Sequence, residues 1–335
     1  MEPEQTKPLF RQERTDKMKK EKLLHSTKIQ QMIAQYKHDM QLVDQLTADA
    51  EPHYEIEQEL YKKYEVKRGL RDLDGKGVRA GLTTISKVSA TQIVDGREVP
   101  AAGQLLYRGI PIEQLVQGFI THDRFGFEEI VYLLLMGHLP KADQLAQFKG
   151  LLTDYQELPN HFNSGVIMKM PSDNIMNTMA KCVLALHAYD PKPDDTSLPN
   201  VMRQCIQLVS QFPSLAVFGY QASMYFRNDR SMFIQKPDPK LSIAENILYM
   251  MRPDGKYTRL EAKLLDLCLV LHAEHGGGNN SAFTVHVVSS SGTDTYSTVA
   301  AALGSLKGPK HGGANIKVME MFEDLKQHCP DWEDE

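Results

Sequence analysis

Two short segments place side chains that can do chemistry next to glycines. Ala273-Glu274-His275-Gly276-Gly277-Gly278-Asn279 and Gly308-Pro309-Lys310-His311-Gly312-Gly313-Ala314-Asn315 share one plan: a histidine against glycines, with an asparagine four residues on. Glycine lets a backbone approach a ligand closely. His311 is expected at the start of a helix, where the positive end of the dipole disfavours imidazolium. A neutral imidazole with its N–H aimed at a carbonyl oxygen is an electrophilic catalyst, and free N–H groups at a helix start suit an anionic substrate. The plainer reading of His311 is a histidine bonded to a nearby loop. His275 reads equally as the last residue of a helix, complementing the dipole before a glycine cap. His272 and His275, three apart, with His286 further on, raise a metal site. No cysteine or carboxylate cluster completes the ligand set, and Glu274 on a helix would point elsewhere, so no metal is expected.

Helices have to hold these segments. Thr258-Arg-Leu-Glu261 is a capping box that opens a helix from 259 to about 273, delivering His275 at its end. Thr293 or Ser291 is expected to open an alanine-rich helix over 294–306, stopped by Gly308-Pro309, with a last helix from about 312 to 326. A second capping box, Ser242-Ile-Ala-Glu245, starts another helix. Upstream, Pro111 suits the first position of a helix reaching about 119. Residues 127–137 (FEEIVYLLLMG) are apolar nearly all round and read as a buried helix. Residues 141–155 are amphipathic, and 174–188 follow Ser172 and Asp173 as expected caps. The run 200–226 is helical, with Pro213 expected to break or kink it. Only residues 68–109 differ in texture: glycines punctuate β-branched stretches, and Asp95-Gly96 signals a hairpin. No dinucleotide or P-loop glycine spacing occurs there.

The 335 residues are 41% hydrophobic and 24% charged with a net charge of −5, ordinary for a globular protein and adverse to non-specific nucleic-acid binding. The longest apolar runs, 130–136 and 264–271, fall far short of a membrane span. Cys182, Cys205, Cys268 and Cys329 lack metal-ligand spacing and read as buried or free thiols in a reducing cytosol. The opening MEPEQTKPLF has no apolar core and carries acids, so a cytoplasmic location is expected. Lys17, Lys19, Lys20, Glu21 and Lys22 cluster early. Ile29, Met32, Ile33, Tyr36, Met40 and Val43 then recur at helical spacing as an amphipathic helix.

The stretch HAEHGGGNNSAFTVHVVSSSGTDTYSTVAAALGSLKGPKHGGAN resembles the signature region of the citrate synthase family. The resemblance extends to VKRGL at 66–70, LYRG at 106–109, GFEEIVYLLLMGHLP at 126–140 and residues 242–251, covering about 56–318. It implies a mainly α fold: a multi-helical large domain over 56–328 with a few short N-terminal strands. A charged helical extension would occupy 1–55, and 329–335 would be an exposed terminus where a small domain begins. It implies that His275 donates to the thioester oxygen of acetyl-CoA as the enol forms, and that His311 polarises the ketone of oxaloacetate. Asn279, Gly304, Leu306, Lys307, Gly308 and Lys310 would contact substrate or the adenine end of coenzyme A. Acetyl-CoA is a co-substrate in this picture, with no resident cofactor, and the large domain packs as a homodimer.

The chain departs from the family in one respect that matters chemically. The family's base is an aspartate in a motif resembling GxGHxxxxxxDPR, and no such motif occurs here; Asp190-Pro191 and Asp238-Pro239 lack its glycine–histidine lead. The carboxylate-gripping arginines of the small domain would be missing too. A large domain with impaired activity alone is therefore expected, with Phe322, Leu325 and Trp332 apolar and uncovered near the terminus. At Glu245, where some members carry an oxaloacetate-binding histidine, the capping role suffices. Two alternatives stay open: 2-methylcitrate synthase specificity, and a non-catalytic helical scaffold.

Overall fold

In the computed structural model, residues 7–51, 57–67, 69–72, 74–78, 80 and 82–329 are described, side chains at 7–26, 28, 32 and 58 excepted. Trp332 and the rest of 330–335, Gly81, and the side chains of the early lysine cluster and Met32 lie outside these. The chain forms two compact units, residues 1–68 and 69–335. In the first, α1 (Lys7–Ala50) is one helix of 44 residues, about 66 Å long, and α2 (Gln58–Lys63) follows. Ile29, Ile33, Tyr36, Met40 and Val43 lie on α1, and all are exposed.

The second unit begins with an antiparallel sheet of order β1-β2-β3: β1 (Ser86–Val94), β2 (Arg97–Tyr107) and β3 (Ile110–Pro111). Asp95 and Gly96 both have positive φ (50° and 74°), the turn that matches strand twist in a two-residue hairpin. Among the described residues ten α-helices follow: α3 (Ile112–Thr121), α4 (Phe127–Met136), α5 (Ala142–Tyr155), α6 (Ile175–Leu186), α7 (Leu198–Arg227), α8 (Ile243–Met251), α9 (Arg259–His272), α10 (Asn280–Ser289), α11 (Thr295–Leu306) and α12 (Ala314–His328). The fold is mainly α, as the sequence implies. Among the described residues no helix is long and apolar enough to cross a membrane.

The helix starts show which residue wins where several can cap. Both capping boxes form, Ser242 with Glu245 and Thr258 with Glu261. Before α6, however, Asn174 rather than Ser172 or Asp173 accepts from the Asn177 N–H. Before α11, Asp294 rather than Thr293 or Ser291 accepts from the Ser297 N–H. Pro213 neither ends nor divides α7, which runs on through it. Leu208, Leu215, Val217 and Phe218 are buried on either side, and their packing outweighs the one lost backbone bond.

The main core joins α6, α7, α8 and α11 through Cys182, Val183, Leu186, Leu215, Phe218, Met250, Tyr296 and Leu303. A second cluster, Tyr107, Ile112, Leu115, Phe119, Ile130, Leu133 and Val270, binds the sheet to α3, α4 and α9. Buried carboxylates then fix the helices end to side. Asp266 of α9 accepts the N–H groups of Gly126 and Phe127 at the start of α4, at 2.7 and 3.1 Å. Glu128 of α4 accepts the Ile243 N–H at the start of α8, at 2.8 Å. These are orphan donors of helix N-termini met from a neighbouring element. All four cysteines are free, and burial pushes the Cys182 thiol up to about 11.

Candidate functional site

The first histidine segment is built on the end of α9. Tyr107, fully buried on β2, donates its hydroxyl to Val270 O at 2.9 Å and accepts the Glu274 N–H at 3.3 Å. Burial pushes its phenol upward. α9 ends at His272, so Glu274 lies past the helix rather than on it. Its Oε1 accepts the N–H groups of His275 and Gly276, at 3.1 and 2.6 Å, and the Ser86 hydroxyl at 3.1 Å. The carboxylate thus folds the 274–276 turn onto the hairpin. Gly276 has φ of 101°, which a side chain would strain. His275 itself is exposed.

Asn279 is the N-cap of α10, its Oδ1 accepting the Ala282 N–H at 2.6 Å. Its Nδ2 lies 3.4 Å from Nε2 of His275. Ser281, which the sequence reading passed over, contacts Asn279 Oδ1 at 2.8 Å and Nε2 of His311 at 3.1 Å. The two histidines are therefore ends of one hydrogen-bonded chain: His275, Asn279, Ser281, His311. The only cue in the sequence was the hydroxyl two residues past a cap. Its partner lies thirty residues away and cannot be seen locally.

The second segment differs from its sequence twin. α12 starts at Ala314, so His311 sits in the preceding turn, not at a helix start. The dipole argument for its neutrality loses its geometric basis. Its N–H and that of Gly312 donate to Gly308 O at 2.9 and 3.0 Å. A Cβ on Gly312 would collide with the Leu306 carbonyl, and one on Gly313 would stand 2.6 Å from Pro309 O. These glycines are required by the turn's approach to itself. The run joining the two segments is two helices, α10 and α11, parted by Gly292 at φ of 79°. They pack together, and Asn280 Nδ2 donates to Ser305 Oγ at 2.8 Å.

Of the other expected contacts, Gly304, Leu306, Lys307 and Lys310 are exposed and Gly308 half-buried. Lys307 donates to Asn177 Oδ1 of α6 at 2.6 Å. His272, His275 and His286 do not gather. Nδ1 of His272 is bonded to Cys268 O at 2.8 Å. Among the described residues the one clustered set of ligand-type atoms is His187, Asp194 and Asp294. There His187 is bonded to Asp194 at 3.1 Å and Asp294 caps α11.

Residues 69–334 match the family described as "Citrate synthase, C-terminal domain". The chain belongs to the citrate synthase family. It is 37% identical over 248 residues to the citrate synthase of Acidithiobacillus ferridurans, covering 71% of this chain and 59% of that one. It is 32% identical over 275 residues to 2-methylcitrate synthase 1 of Corynebacterium glutamicum, covering 80% and 65%. Citrate synthase from Pyrobaculum aerophilum superposes with a TM-score of 0.63 at 28% identity, over 78% of this chain and 62% of that one. The chain thus spans about three-fifths of the length of these relatives. Both histidines of the site lie inside the citrate synthase match.

Proposed function

We propose that this chain carries the donor half of a citrate synthase-type acyltransferase site, condensing acetyl-CoA with oxaloacetate and water to give citrate and CoA. The pairing of His275 and His311 through Asn279 and Ser281 carries the reading. A base removes a methyl proton from the acetyl thioester while a His275 N–H stabilises the oxygen of the resulting enol. The enol carbon then attacks the oxaloacetate ketone, and His311 protonates its oxygen. Water releases CoA from the thioester formed. Preorganised donors at two developing oxyanions are the usual largest contribution to such a reaction. Lys307 and Lys310 supply exposed cations for the phosphates of CoA, along the approach made by Gly304, Leu306 and Gly308.

The base is the missing half. Glu274 is engaged by its own backbone, Asp190 by an ion pair with the half-buried Arg203, and Asp238 by the Lys240 N–H. In this reading the base and the carboxylate-binding arginines come from chain outside these residues, and the 335 residues alone turn over weakly. The protein works in the cytoplasm as a homodimer without a resident cofactor. The test is CoA release by this chain and by a version extended through the downstream reading frame. Far faster release by the extended chain is expected. Equal turnover by both refutes the external base, and release by neither leaves a scaffold. A second reading, 2-methylcitrate synthesis, is favoured by relatives of both activities at similar identity; propionyl-CoA in the same assay decides it.

A further inference from the structure

The hydrogen bonds around Asn279 fix more than position. Oδ1 of Asn279 accepts the Ala282 N–H, and a backbone N–H can only donate, so the oxygen of this amide is identified. The atom 3.4 Å from Nε2 of His275 is then the amide nitrogen, which also can only donate. Nε2 of His275 must accept, and the proton of the neutral ring belongs on Nδ1. The same oxygen faces the Ser281 hydroxyl at 2.8 Å. A carboxamide oxygen cannot donate, so the hydroxyl proton points to it and leaves Oγ lone pairs toward Nε2 of His311, 3.1 Å away. That nitrogen must carry the proton.

We propose that Asn279 and Ser281 are positioning residues that hold the two histidines in opposite tautomers, His275 protonated at Nδ1 and His311 at Nε2. One backbone N–H at the start of α10 sets both. The consequence is chemical: Nδ1–H is the donor His275 offers, and Nε2–H is the donor of His311. Ser281 Oγ occupies the acceptor position that a substrate carbonyl oxygen takes over when it binds. This catalytic meaning rests on the acyl-transfer reading above, whereas the tautomers do not.

Long-range proton–nitrogen correlation on the full chain, labelled with nitrogen-15 at histidine, reads the tautomers directly above about pH 8, where an ordinary imidazole is neutral. Expected are a bare, pyridine-type Nε2 on His275 and a bare Nδ1 on His311, assigned with His275→Gln and His311→Gln. Asn279→Asp keeps a good N-cap acceptor but replaces the donor facing His275 by an oxygen, so Nε2 of His275 should gain the proton. Ser281→Ala removes the acceptor from His311, whose spectrum should become a mixture of both tautomers. A protonated Nε2 on His275 in the unsubstituted chain overturns the proposal. So does a His275 spectrum that Asn279→Asp leaves unchanged. The readout is a nitrogen shift rather than turnover, so its failure is distinct from a failure of the acyl-transfer reading.

Discussion

Two polar clusters in this molecule use the same kinds of bond to opposite ends. In one, Asp190, with its side chain fully buried, accepts from Arg203 Nη2 at 2.7 Å, Tyr296 Oη at 2.6 Å and Gln204 Nε2 at 3.1 Å. Gln204 in turn accepts the Thr295 hydroxyl at 2.6 Å. Burial alone would raise the Asp190 carboxyl, but these bonds and the Lys192 N–H outweigh it and hold it at about 2. The other cluster, at the far end of α11, is the chain from His275 to His311, open to solvent on its His275 side. The first cluster satisfies its carboxylate in full and so locks the loop before α7 to the start of α11. The second fixes its members by bonds to only one ring nitrogen of each histidine. A saturated network builds the frame; an unsaturated one, held by that frame, is left with hydrogen-bonding capacity for a ligand.

The largest separation between them is in stability. Asp190→Ala leaves Arg203 without its buried partner and should cost about 3 kcal/mol in urea unfolding. Asn279→Asp, which preserves the cap, should cost under about 0.5 kcal/mol. If the two losses were equal, the distinction between frame and site would fail. Next in size is acid sensitivity. A carboxyl held at about 2 in the folded protein, against about 3.9 unfolded, contributes stability that is complete above the unfolded value. That contribution is lost as pH falls from about 4 through 2, for a total of roughly 2–3 kcal/mol. Asp190→Asn should flatten the stability profile over that window, whereas no substitution in the histidine chain should.

Smaller again is the turn that carries His311. Gly312→Ala drives a methyl into the Leu306 carbonyl, and the rearrangement should cost about 1–3 kcal/mol. Hydrogen exchange should show the loss confined to residues 306–313. Tyr107→Phe removes the bond to Val270 O and should cost about 1 kcal/mol with the hairpin intact by circular dichroism. A greater loss there would move Tyr107 into the frame.

What the sequence made legible follows the range of each interaction. The capping boxes at Ser242 and Thr258 and the Asp95-Gly96 turn are complete within four residues, and they form as read. Asn174 and Asp294 were missed because each stands beside other residues able to cap, and the choice depends on where the helix packs. Pro213 does not break α7, whose two flanks are buried. At the site, both histidines could be singled out from glycine context. Ser281 and the role of Glu274 could not, because these two residues act across 30 and 188 residues of chain.

The central claim is that His275 and His311 are paired donors of a condensation site. It is tested most directly by CoA release from the downstream-extended chain carrying His275→Ala or His311→Ala. The account predicts a fall in kcat of about 10²–10³ or more for each, as for other oxyanion donors, with the thermal transition nearly unchanged. Turnover within a few-fold of the unsubstituted protein in either variant would contradict it.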